Sequence, residues 1–89
     1  MWHWDEDKRQ TNLAKHGVDF VDVAEFDWGA AVIEPDMRFD YGEVREIATG
    51  ELEGRLYIIA FTRRGNITRI INMRKANGRE VQKWINRKS

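Results

Sequence analysis

Arg63, Arg69, Arg74 and Lys75 fall within one short stretch of the chain, and Arg45 precedes them on what reads as a neighbouring strand. A guanidinium offers paired N–H donors that match two oxygens of a phosphate. The same group stabilises the extra negative charge of a pentacoordinate phosphorus. Such a cluster also serves binding and structure, so it defines a chemistry without choosing among its uses. Competing signatures are missing. The chain has no glycine-rich phosphate loop, no HExxH and no CxxC, and its only serine is Ser89. Two well-separated histidines make no convincing metal cluster.

Positioning these cations falls to a hairpin. Leu56 to Phe61 is an apolar run, Arg63-Arg64-Gly65-Asn66 carries turn chemistry, and Ile67 to Met73 returns with Arg69 among apolar neighbours. With Arg64 and Gly65 in the turn, Phe61 faces Thr68, Ile59 faces Ile70 and Tyr57 faces Asn72. The other side then sets Leu56, Ile58, Ala60 and Thr62 against Met73, Ile71, Arg69 and Ile67. Both sides are mostly apolar, which predicts a central strand pair at least partly covered on both faces. Arg69 in that setting needs a carboxylate, a bound anion or a route to water.

The flanking elements follow from capping residues and periodicity. Asp5 is a good N-cap with Glu6 and Asp7 in the first turn, predicting a helix to about Lys15 that stops at Gly17. Lys8, Asn12, Lys15 and His16 share a polar face of it by spacing, with His16 at its C-terminal end. Asp19 caps a second, short helix through Phe20, Val23 and Ala24, ending near Phe26 or Asp27. Ala30 to Ile33 and Val44 to Thr49 read as strands, with Pro35 closing the first and Met37 to Gly42 as a loop. Asn77 with Glu80 forms a capping box, and Val81, Trp84 and Ile85 recur at helical spacing after it. The predicted class is α+β: two N-terminal helices, a four-stranded, mostly antiparallel sheet and a C-terminal helix.

Bulk properties bound the answer further. Eighty-nine residues predict one domain spanning 1–89 with one modest core. Net charge is zero, yet residues up to Glu53 hold 14 acidic against 5 basic groups, whereas from Gly54 onward 10 basic groups face Glu80 alone. A basic half can hold a polyanion, or the two halves can pair across the sheet. The absence of cysteine, of long apolar runs and of a signal-like leader predicts a soluble cytoplasmic protein with no membrane contact.

The residues also resemble a known family. Trp4-Asp5, Lys8, Asn12, Lys15-His16-Gly17-Val18 and Phe20 look like the opening signature of the BrnT toxins of bacterial type II toxin–antitoxin systems. The likeness continues through Gly42-Glu43, Arg45, Thr62 and Gly65, and through Arg69-Ile70-Ile71-Asn72-Met73-Arg74-Lys75-Ala76 to Glu80. Departures fall at Asn72, where serine is common in the family, and at Lys75, where arginine or proline is.

The resemblance implies a RelE-like fold and a metal-independent endoribonuclease, without cofactor, that blocks translation. It implies neutralisation by a BrnA-type ribbon-helix-helix antitoxin, through which alone operator DNA would be reached, and allows a homodimer when the toxin is free. In such a site Arg63 and Arg74 would clamp phosphate, and Lys75 would orient or protonate the leaving group. His16 or Glu46 would be the base, while Arg45, Arg69 and Lys15 would position RNA. For Arg45 and Arg69 the alternative is a salt bridge to a carboxylate such as Glu43 or Glu46. A non-catalytic nucleic-acid- or protein-binding module rests on the same basic residues, and a hydrolase of small phosphorylated molecules has less behind it. Any of Trp2, Trp28 or Trp84 left exposed would mark a partner surface, with Trp28, beside Gly29, foremost.

Overall fold

A computed structural model describes residues 1–38, 40 and 42–87. Phe39 and Tyr41 of the expected loop, and Lys88 and Ser89, lie outside the described residues. Elements run β1 Trp2–His3, α1 Glu6–His16, a 3₁₀ turn Phe20–Ala24, β2 Val32–Pro35, β3 Glu46–Leu52, β4 Arg55–Arg64, β5 Ile67–Lys75 and α2 Gly78–Asn86. The architecture is α+β, with two corrections to the sequence-based expectation. The sheet has five strands in the order β1-β5-β4-β3-β2, because Trp2–His3 adds a parallel edge to β5. The second N-terminal helix is a single 3₁₀ stretch, which leaves two α-helices among the described residues.

Local chemistry sets the element ends. The Asp5 carboxylate accepts from the backbone N–H groups of Asp7 and Lys8, and α1 stops at Gly17, whose φ of 69° is left-handed. Arg9 joins α1 to the next segment by pairing with both Glu6 and Asp19. One face of the sheet is sealed by the segment that follows α1, from Val18 through the 3₁₀ turn to Phe26 and Trp28, with Trp4 packed against it. Phe20, Val23, Ile59, Phe61, Ile70 and Met73 are almost wholly buried there. Phe26 lies so close over Gly50 that an added Cβ would stand 2.6 Å from its ring, so β3 requires a glycine at that position. Trp28, expected to be exposed, is instead packed against this core. It stacks on Trp2, meets Phe26 and Phe61 edge-on, and donates its indole N–H to the Val23 carbonyl at 2.9 Å.

Asn12 fastens α1 to the edge of β5. Its Nδ2 donates to the carbonyls of Val18 and Met73 at 2.9 and 2.7 Å, and its Oδ1 accepts from the Met73 N–H and from Asn72. The buried carboxamide thus supplies the donor and acceptor that a neighbouring strand would offer Met73.

The central hairpin exists, but its register differs from the expected one. Arg64 pairs with Ile67, so Gly65 and Asn66 make the turn, and Gly65 has a φ of 59°. The pairing then jumps from Phe61 with Ile70 to Ala60 with Asn72, leaving Ile71 as an extra residue. This bulge reverses the parity of the strand beyond it. Met73 joins the sealed core opposite Ile59, and Arg74 emerges on the other face opposite Ile58.

Candidate active site

The other face of the sheet is a groove. Its floor is apolar, formed by Ile47 of β3, Ile58 and Ala60 of β4 and Ile71 at the bulge. Lys15 and His16 reach it from the end of α1, Arg45 from the start of β3 and Arg74 from β5. Asp36 and Arg38 enter from the connection after β2. The groove has a volume of about 370 Å³. Each group has a local reason to be there: Asn12 pins the helix that carries Lys15 and His16, and the Ile71 bulge turns Arg74 inward.

Carboxylates hold the arginines in place. Arg74 makes a two-pronged pair with Glu80, Nη1 to Oε1 at 2.7 Å and Nη2 to Oε2 at 2.8 Å. Glu80 is also N3 of the α2 capping box: it accepts from the Asn77 N–H at 2.9 Å while Asn77 Oδ1 accepts from the Glu80 N–H. The hydrogen bond to Glu80 raises the Arg74 pKa, opposed by partial burial and, more weakly, by the positive charge of nearby Arg38. The Glu80 carboxyl is correspondingly lowered, first by Arg74 and then by the Asn77 N–H. Arg38 forms a similar fork with buried Asp36, both contacts at 2.9 Å. Arg45 lies 3.7 Å from Glu43, which Arg64 also holds at 3.0 Å.

The residues singled out from sequence therefore divide. Lys15, His16, Arg45 and Arg74 share the groove. Arg63 and Glu46 pair with each other at 3.0 Å across the sealed face, where Arg63 also lies over the Phe61 ring. Lys75 follows Arg74 directly and so points to the opposite side, opposite Tyr57. Arg69 sits beside Thr62 at the β1 edge, with Nη1 3.3 Å from His3 Nδ1. Charge pairing is accordingly mixed. Arg63 and Arg64 do reach acids of the N-terminal half, whereas Arg74 uses Glu80, the acid of its own half. Sequence reasoning passed over Arg38 and Asp36. Their only signal was a carboxylate and a guanidinium two residues apart just after Pro35.

The family comparison bears directly on this groove. A family model described as the ribonuclease toxin BrnT of type II toxin–antitoxin systems matches residues 4–80. This chain belongs to the BrnT family. A comparison with curated proteins finds no match. As a BrnT-family member the chain is a ribonuclease toxin, with RNA as substrate and an antitoxin as partner. The motif residues have visible work in the fold. Trp4 packs edge-on against Phe20, Asp5 caps α1, Asn12 ties it to β5, and Gly17 ends it. Among the described residues, no helix is long and apolar enough to cross a membrane.

Proposed function

We propose that this BrnT-family toxin cuts RNA in the groove of the open face, by a transesterification that uses side chains alone. The ribose 2′-OH attacks the adjacent phosphorus, the bond from phosphorus to the 5′ oxygen breaks, and a 2′,3′-cyclic phosphate and a 5′-OH result. His16 takes the 2′-OH proton, and Lys15 supplies one to the departing 5′ oxygen. Arg74, with Arg38 and Arg45, holds the phosphate and balances the charge that accumulates on its oxygens. The observation that carries this reading is the convergence of those five side chains on one concavity with an apolar floor. Arg74 keeps its Glu80 partner in the resting protein, so substrate phosphate competes with that carboxylate for its donors.

In this reading Arg63, Glu46, Lys75 and Arg69 serve the fold and the surface rather than the cleavage step. Cutting messenger RNA blocks translation in the cytoplasm. A BrnA-type antitoxin with a ribbon-helix-helix domain neutralises the toxin and carries the pair to operator DNA. Incubating the purified toxin with RNA in EDTA tests the chemistry. Cyclic-phosphate ends from wild type and none from Arg74→Ala support it, while intact RNA with wild type, or cleavage only after adding a divalent metal, refutes it.

A further inference from the structure

The groove continues beyond the phosphate-binding cations. Between α2 and the sheet lies a second compartment of about 290 Å³, bounded by Val32, Ile47, Thr49, Ile58 and Trp84. Arg38 and Arg74 line both compartments, so the two spaces adjoin across those guanidiniums. We propose that the second compartment is a nucleobase subsite, taking the base of one nucleotide next to the phosphate held at Arg74.

This assignment rests on the cleavage reading and adds to it a substrate contact. The volume sits at the small end of ligand sites, suited to a single ring system rather than a peptide or a folded partner. Its floor and one wall are branched aliphatic side chains and an indole, its rim carries Glu80, Lys83 and Arg87, and the Thr49 hydroxyl and the Glu34 carboxylate are polar groups able to meet a base edge. Trp84 is fixed from two sides: its Nε1 donates to Glu51 at 3.3 Å, and the Arg87 guanidinium lies 3.4 Å from its ring centroid. An indole and the guanidinium stacked on it, both lining the compartment, are planar groups of the kind on which unpaired RNA bases stack. Cations line both compartments, but only the second adds an indole to its aliphatic walls and sets two carboxylates, Glu34 and Glu80, among its cations, which favours a neutral ring there over a second phosphate. α2 has no buried residue of its own, and Val81 and Ile85 face solvent. The helix therefore roofs the compartment without filling it.

The test measures binding by the full-length toxin of a short single-stranded RNA carrying one 2′-deoxy nucleotide at the scissile position, so that it cannot be cut. Abasic nucleotides are then placed in turn on either side of that phosphate. Removing the base at one of the two positions should weaken binding roughly tenfold in wild type. The same removal should cost little in Trp84→Ala, and equally little in Thr49→Phe, which fills the compartment from β3 without altering α2. Equal losses in wild type and both variants, or no loss at either position, would overturn the subsite while leaving the cleavage reading standing. Failure of wild type to bind the intact oligonucleotide would overturn both. If Thr49→Phe weakens antitoxin binding and leaves RNA binding unchanged, the compartment belongs to a protein partner and the proposal fails.

Discussion

On the face that the segment from Val18 to Trp28 covers, Phe20, Ile59, Phe61, Ile70 and Met73 have essentially no exposed surface. Across the same strands Ile58 is buried, but Ile47, Ala60 and Ile71 remain half-buried along the open groove. The difference separates two tasks. A domain of this size has little apolar surface to spend, and it concentrates that surface on one side. The other side can then gather like charges over an apolar floor, where they are ready for an anionic substrate.

That contrast can be broken by substitution. The largest stability effect should come from the sealed face, where Phe61→Ala removes a wholly buried ring and costs about 3–5 kcal/mol, against about 1 kcal/mol for Ile47→Ala on the open face. Urea unfolding of both variants measures the gap, and equal losses would mean that the faces are not distinct. Next comes the fastening between them. Asn12→Ala strands the Met73 N–H and two carbonyls, and should cost about 2–3 kcal/mol, far more than an exposed asparagine would. Hydrogen exchange should show faster opening at Met73 in that variant, and unchanged protection there would refute the assigned role.

The smallest effect is electrostatic. Glu80 and Glu43 are lowered chiefly by hydrogen bonds from Arg74 and Arg64, and Asp19 chiefly by the Val21 N–H and then by Arg9. A carboxyl lowered in the folded state stabilises it above the ordinary carboxylate range, and that contribution disappears as pH falls through the folded value. Melting temperature should therefore drop on acidification below about pH 4, and Glu80→Gln should flatten part of that drop. An unchanged slope in Glu80→Gln would show that its pair with Arg74 adds nothing to folding.

Much of the fold could be read from short-range chemistry. Asp5, Gly17, Asn77 and Glu80 mark helix ends because capping depends on a few neighbouring residues. Register was not legible, because Gly65 suits a turn beginning at either Arg64 or Gly65, and no residue type announces the bulge at Ile71. That single extra residue decides which face receives Arg74. Parity likewise separates Lys75 from Arg74, and places Arg63 with Glu46 rather than in the groove. The two-residue β1 is too short for any periodicity to show. Arg38 was missed because its position depends on a connection without regular structure, while Trp28 was misjudged because its indole N–H finds the Val23 carbonyl inside the fold.

Arg74 and Arg63 lie on opposite faces of the sheet, so substituting each in turn shows which face cuts RNA. Cleavage rates in EDTA for Arg74→Ala and Arg63→Ala, each shown to be folded by circular dichroism, compare them directly. The open-face site predicts a loss of about 100-fold or more for Arg74→Ala and a rate near wild type for Arg63→Ala. Wild-type cutting by Arg74→Ala, or an equal collapse in Arg63→Ala, would contradict it.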